Sequence, residues 1–356
     1  MTRSVSHMTR TVAGGSAERR QGSCHFLDIE NKQACVDAAV SMDQLAQWML
    51  PQGFLPPVIT EFKGITVGGA VMGAALESSS FRYGQVSDVC TRFEFELADG
   101  QCVDLTPESD LFYGLSGSYG TIGRLKRVYL QVEPVQPWVE LSARVCATEH
   151  VAEGLSASCT GDADFVDAMA LDARRSVVME GRYVASSSAQ RIRFDRPWSK
   201  SFCQQVVEAA GRSKWSWSFT TYDYLFRYDL GAFWMGQFPT SRLAVTTFYN
   251  HRNDAPVEQA RCLHQAFRES PPTLTPSGWL RRLLRAKLSS THLYATLHRV
   301  SQEVLAHTFL VQDFYIPSDR VQEFLSYCHE RVAIYPLWLC PMRGTATGQF
   351  LSPLFL

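Results

Sequence analysis

The sequence predicts an α+β chain with antiparallel strands, built as a shorter first unit and a longer second one. Three observations carry that expectation. Apolar and polar residues alternate on either side of Asp99-Gly100: Phe93, Phe95 and Leu97 enter the turn, and Val103 and Leu105 leave it, which is a hairpin signature. From Trp138 onward, helical and strand periodicities are interspersed with no internal repeat. The 356 residues, 46% hydrophobic and 19% charged, exceed one average domain and can fill a sizeable core, which excludes general disorder.

Along the chain, residues 1–23 read as a loose Ser-, Thr-, Gly- and Arg-rich tail with no secretory h-region. Two short strands are expected at 25–29 and 34–38, turning at Asn31-Lys32. Ser41 is placed to cap a helix over 42–50, which Pro51 ends. After the hairpin, a short helix is expected at 111–115. A loop punctuated by Gly117, Gly120 and Gly123 then enters a strand at 124–132, closed by Pro134 and Pro137. In the second unit, a new pattern of strands and helices begins over 138–147, and strands are expected at 164–171, 176–184, 216–221, 308–316 and 332–338. Helices are expected at 148–158, 200–211, 257–268, 279–288, 292–305 and 318–330.

The bulk properties narrow the function. A net charge of −1 lacks the basic excess of a nucleic-acid binder. The ten cysteines form no C-x-x-C pair and lie at no zinc-ligand spacing to a histidine, so no metal site is expected and reduced, mostly buried thiols are. No apolar run is long enough to span a bilayer.

The stretch from Thr66 to Gly84 is the most informative segment. It has neither the G-x-G-x-x-G spacing of a Rossmann turn nor a Gly-Lys-Ser/Thr phosphate loop. Gly68, Gly69 and Gly73, with Ala70, Ala74 and Ala75, make a surface of minimal side chains, and exposed backbone N–H groups there could hold a pyrophosphate. A tightly packed helix–strand crossing with no ligand explains the same residues equally well.

The order of motifs adds to this. V-G-G-x-x-x-G at 67–73 is followed by E-S-S-S-x-x-Y-G at 77–84, L-A-D-G at 97–100, S-D-L-F-Y at 109–113 and G-S-Y-G-T-I-G at 117–123. That series resembles the FAD-binding domain of the vanillyl-alcohol-oxidase-type (PCMH-type) flavoproteins, and more closely the Δ24-sterol reductases. In the second unit, Val311-Gln312-Asp313-Phe314-Tyr315-Ile316-Pro317 and Tyr335-Pro336-Leu337-Trp338-Leu339-Cys340-Pro341 resemble two further motifs of that group, and Arg196-Pro197-Trp198 and Phe233-Trp234 have counterparts. The resemblance runs from about His25 to Pro341.

The resemblance implies a division into the tail at 1–23, the second half of a PCMH-type FAD-binding domain at 24–135, an α+β substrate domain with an antiparallel sheet at 136–343, and a C-terminal tail at 344–356. It implies a hydride relay in which NADPH reduces FAD and the flavin reduces the side-chain double bond of a sterol. The FAD contacts it implies are Thr66, Val67, Gly68, Gly69, Ala70, Val71, Met72, Gly73, Ala74, Ala75, Leu76, Glu77 and Ser78, then Ser79, Ser80, Tyr83 and Gly84. The loop Gly120, Thr121, Ile122 and Gly123 follows, with a bulged strand entry as its other reading. Tyr224, Arg227 and Glu77 are the candidates for the proton-supplying side, against a core tyrosine with a satisfied hydroxyl and a positioning carboxylate.

The chain departs from the group at Phe81, where a polar or basic residue is usual, and over 239–277. Relative to that group both ends are expected to be cut, so a fragment without activity stands as an alternative, beside another flavin-dependent oxidase of the same fold. The absence of histidine in 66–84 favours the sterol reading over oxidases that attach flavin covalently. Association with the endoplasmic reticulum membrane is implied in the same way. The run Trp279-Leu280-Arg281-Arg282-Leu283-Leu284-Arg285-Ala286-Lys287-Leu288 places its leucines on one helical face, a pattern of an interfacial helix or of an ordinary surface helix with a basic outer side.

Overall fold

A computed structural model describes residues 22–194, 199–230, 289, 314–332 and 335–344. The expected helices at 257–268, 279–288 and 292–305 lie outside the described residues, as do Arg196-Pro197-Trp198 and Phe233-Trp234.

The first unit is a five-stranded antiparallel sheet, order β1-β2-β6-β4-β5. Its strands are β1 (Cys24–Asp28), β2 (Gln33–Asp37), β4 (Cys90–Leu97), β5 (Cys102–Leu105) and β6 (Gly123–Gln131). A two-stranded ribbon pairs β3 (Phe54–Leu55) with β7 (Glu133–Pro134). Helices α1 (Met42–Met49), α2 (Val67–Met72), α3 (Ser80–Tyr83) and α4 (Asp110–Gly114) are short. The sheet face turned inward carries Ala34, Val36, Phe93, Phe95, Val128 and Leu130, all essentially buried. The opposite face carries charged cross-strand pairs, Arg92–Asp104 at 2.8 Å and Arg127–Glu94 at 3.0 Å. This one-sided alternation is what an antiparallel sheet with one solvated face requires. A register shift in the β4–β6 pairing, where Glu94 faces Arg127 but Phe95 faces Leu125, leaves Lys126 as the extra residue and lets Leu125 and Val128 both point inward.

Local chemistry sets the boundaries. Ser41 caps α1 with a complete capping box: its hydroxyl accepts from Gln44 N at 3.2 Å, and Gln44 Oε1 accepts from Ser41 N at 3.0 Å. Met42, Leu45, Ala46 and Met49 form the buried stripe of that helix. The Asp99-Gly100 turn closes the β4–β5 hairpin with Gly100 at φ 88°.

The second unit is a six-stranded sheet, order β11-β12-β8-β10-β9-β13. It comprises β8 (Trp138–Ala147), β9 (Phe165–Ala170), β10 (Arg175–Val184), β11 (Gln190–Arg191), β12 (Lys214–Thr220) and β13 (Leu337–Leu339), antiparallel except for β11–β12. The aromatic residues Phe202, Trp215, Trp217, Phe219, Tyr224 and Tyr228 pack in one core cluster with α6 (Phe202–Ala209) and α7 (Thr221–Leu225). A second cluster joins α5 (Val151–Cys159) and α8 (Val321–Tyr327) to Val166, Ala168 and Val178. Phe81, the departure from the family pattern, packs into this second cluster.

Several expectations are corrected. Residues 328–332 continue the helical path as a wide turn, so the strand expected at 332–338 is reduced to β13. The helix expected over 318–330 begins with a tighter turn at Ser318–Arg320. Phe314 to Ile316, expected as strand, carry no regular structure. The strand expected to reach 221 ends at Thr220, because that hydroxyl accepts from Asp223 N at 3.1 Å and starts α7. Nine cysteines among the described residues are free thiols.

The crossing of α2 over the residue that follows β2 is a tight joint of the first unit. A Cβ added at Gly68 would lie 2.7 Å from Ala38 Cβ and 3.0 Å from the Ala38 carbonyl oxygen. Gly68→Ala is therefore expected to destabilise the fold by about 1–3 kcal/mol, the usual cost of overpacking. Chemical denaturation checks this, and Ala38→Gly in the same chain should restore part of the loss.

Candidate functional site

The glycine-rich stretch folds as helix α2 followed by a left-handed turn. Thr66 caps α2, its hydroxyl accepting from Gly69 N at 3.1 Å. The next amides are also engaged: Val67 N donates to Val40 O at 2.8 Å and Gly68 N to Ala38 O at 2.9 Å. The exposed amides expected for pyrophosphate are thus not found at Val67, Gly68 or Gly69. Together with the Ala38 contact, this makes the start of the stretch a packed helix–strand crossing. Val67, Ala70 and Val71 belong to the core. The surface is formed further on, by exposed Gly69 and by Met72, Gly73, Ala74, Ala75 and Leu76, all partly exposed. Ala74 turns the chain at φ 55°, a left-handed conformation that costs a non-glycine residue about 1 kcal/mol or more.

The second expected loop meets this surface. Tyr119 N donates to Met72 O at 3.0 Å, joining the 117–123 loop to the end of α2. Gly117, Tyr119 and Gly120 all have positive φ, at 74°, 49° and 72°. A Cβ at Gly120 would meet nothing within 4 Å, so backbone conformation, not crowding, asks for glycine there. Gly123 differs: its Cβ would lie 2.4 Å from Glu96 O, which makes it a packing glycine of the β4–β6 pair. Thr121 is exposed, and Ile122 packs on the first core. The Ser118 hydroxyl is buried and has no hydrogen-bond partner among the described residues.

The carboxylate and serines that follow turn inward. Glu77, Ser78, Ser79 and Ser80 are at most 2% exposed. Ser79 Oγ donates to Pro57 O at 2.7 Å, Ser80 Oγ accepts from Glu77 N at 2.9 Å, and Ser78 O accepts from Val166 N of β9 at 2.8 Å. Tyr83 packs against the first core. Gly84 is buried at φ 82°, with Asp88 Oδ2 where a Cβ would stand. These residues tie the first sheet to the second.

At that junction the three proton-side candidates come together. Arg227 Nη1 pairs with Glu77 Oε1 at 2.9 Å, and Nη2 pairs with Asp167 Oδ2 at 3.0 Å; all three side chains are at most 1% exposed. Arg227 also donates to Tyr224 O at 3.0 Å and Ser78 Oγ at 3.2 Å. Its guanidinium lies 4.1 Å from the ring centre of Tyr224 and 4.6 Å from that of Tyr228. Tyr228 OH at 2.8 Å and Trp338 Nε1 at 3.0 Å donate to the same Asp167 oxygen. Asp167, Tyr228 and Trp338 were not expected in the site. Asp167 carried a signal: it is the one charged residue in the otherwise apolar β9, where an acid needs a partner.

The cluster holds one cation and two acids. Burial raises the Glu77 carboxyl above its ordinary range, with Arg227 opposing the rise and Asp167 adding to it. Glu77 Oε2 has no hydrogen-bond partner among the described residues. The arrangement is a buried charge lock, and none of Glu77, Arg227 or Tyr224 presents an accessible acid. Among the described residues no group of three His, Cys, Asp or Glu could hold a metal ion.

Because the folded-state value of Glu77 is raised, its contribution to stability is present below the ordinary glutamate pKa. It is lost as pH rises through the folded-state value. Glu77→Gln mimics the protonated form, so melting temperatures across pH should match the wild type in acid and exceed it progressively toward alkaline pH. A gap that shrinks as pH rises would contradict this assignment.

Comparison with known proteins gives this geometry a lineage. An FAD binding domain family matches residues 19–106. A protein of Caenorhabditis elegans described as a Delta(24)-sterol reductase homolog is 25% identical over 333 residues, covering 88% of this chain and 58% of its own length. The Delta(24)-sterol reductase of Pisum sativum is 27% identical, covering 89% of this chain and 54% of its own length. A decaprenylphosphoryl-beta-D-ribose oxidase of Mycolicibacterium smegmatis is 31% identical over 115 residues, 32% of this chain. The chain thus spans a little over half the length of the sterol reductases it matches. Across nearly nine-tenths of its residues the chain is similar to proteins described as Delta(24)-sterol reductases, and its first third is similar to an FAD binding domain family.

Proposed function

We propose that this chain binds FAD on the face formed by Met72–Leu76 and Gly120–Ile122 and reduces the side-chain double bond of a sterol with NADPH. The observation that carries the proposal is the extent of the likeness. The sterol reductases match through both sheets, whereas the sugar oxidase matches only about a third of the chain.

The residues present fit such a cofactor. Small side chains at Gly73, Ala74 and Ala75 leave a flat surface, and a Cβ at Gly120 would meet nothing within 4 Å. The orphaned Ser118 hydroxyl beside them is a buried polar atom in need of a partner. FAD, when bound, would carry hydride from NADPH to the sterol. The protein would contribute a rigid, water-poor wall. Gly69 and the Met72–Leu76 turn would contact the cofactor directly, while Glu77, Ser78, Ser79 and Ser80 would hold that turn from behind through β9 and Arg227.

Purified protein is expected to take up FAD, bleach under anaerobic NADPH, and regain the oxidised flavin spectrum when a Δ24-unsaturated sterol is added. Bound flavin that is reoxidised by oxygen after reduction by an alcohol or sugar, but not by the sterol, would favour the oxidase reading instead.

The same reading includes association with the endoplasmic reticulum membrane through 279–288, a segment outside the described residues. Among those described, no helix is long and apolar enough to cross a membrane. Binding to anionic liposomes should weaken in the Arg281→Glu, Arg282→Glu double variant, and equal sedimentation of both proteins would refute the contact.

A further inference from the structure

The left-handed turn at Ala74 is held from a distant part of the chain. Tyr315 OH donates to Ala74 O at 3.0 Å and lies 3.0 Å from Gln85 Nε2, which donates to it. Gln85 Nε2 also reaches Ala74 O at 3.3 Å, and Gln85 Oε1 accepts from Ser116 Oγ at 2.8 Å. Gln85 is 2% exposed and is fixed at its own backbone, where its N–H donates to Asp88 Oδ2 at 2.7 Å. Tyr315 itself is 44% exposed, so it reaches the turn from the solvent side. Among the described residues, Tyr315 lies in no helix or strand.

The carbonyl at the apex of the turn is therefore gripped from two sides, by a buried amide and by a phenol. Two observations set it apart from an ordinary surface contact. It spans 241 residues of sequence, and it acts at a non-glycine residue in left-handed conformation. Such a conformation persists only where surrounding contacts over-determine it.

We propose that Tyr315 is a positioning residue of the cofactor face: through Ala74 it fixes the Gly73–Leu76 turn in the shape that receives FAD. This rests on the reading of that face as the flavin site. Tyr315 acts through the turn, and its aromatic ring is not required to touch the substrate.

The test compares the wild-type chain with Tyr315→Phe, which removes one hydroxyl and nothing else. Without cofactor, amides of 72–76 should exchange with deuterium faster in the variant while the melting temperature stays the same. FAD titration followed by flavin fluorescence should show about fivefold weaker binding, the scale of one lost hydrogen bond. The visible circular dichroism of bound flavin should also change, which a general loss of stability would not produce. Equal FAD affinity and an identical flavin spectrum in the variant would overturn the proposal and leave the flavin reading standing. A wild-type chain that takes up no FAD would overturn the flavin reading, and the proposal with it.

Discussion

Arg227 is the residue on which the arrangement of the two sheets depends. Its guanidinium is removed from water and has to find compensation inside the protein. That compensation comes from three separate stretches: Glu77 and Ser78 after the glycine-rich helix, Asp167 in the middle of β9, and the α7 turn with its aromatic rings. Removing the shared cation from such a buried set typically costs about 3–5 kcal/mol, because two buried carboxylates are left without it. The cluster thus fixes more than its own atoms. The Ser78 carbonyl accepts a backbone hydrogen bond from Val166 N, so the strand that carries Asp167 is also sewn to the segment that carries Glu77.

The local features of the fold were legible in the sequence, and the long-range ones were not. Ser41 with Gln44 three residues on, and the Asp99-Gly100 turn between alternating runs, are written within a few residues and were read with boundaries close to those observed. The glycine-rich stretch left two readings open, and the structure gives its start to the packed crossing and leaves an accessible surface past Met72. Gly68 is glycine because Ala38 stands against it, whereas Ala74 and Gly120 bend the backbone at an open surface. Nothing in the order of residues says that Ala38 will be the neighbour of Gly68. The serine triplet suggested ligand-facing hydroxyls, but these are spent on Pro57 O, Glu77 and Arg227. The contacts of Asp167, Trp338 and Tyr315 were hidden for the same reason, since each finds its partner at least 60 residues away.

The candidate cofactor face follows from these commitments. The first amides of α2 are taken by Ala38, Val40 and Thr66, which leaves the region past Met72 as the accessible part of the stretch. That region is narrow and made of small residues, and it is backed by the charge cluster. A surface of this kind owes its shape to what stands behind it, as expected where binding groups must be held more precisely than a loop can hold itself.

The reach of Arg227 also bears on how the chain is made. Leu225 and Phe226 complete the hydrophobic core of the first sheet, although they follow its last strand by more than ninety positions. Until that stretch has been synthesised, the nascent first unit exposes apolar surface, and Glu77 faces burial without its cation. The native arrangement of the first unit is therefore complete only once the 225–228 segment has docked. Contacts of such sequence separation slow folding and prolong the exposure of unfinished surface. The junction that makes the finished molecule rigid also sets the moment at which its first half can become stable.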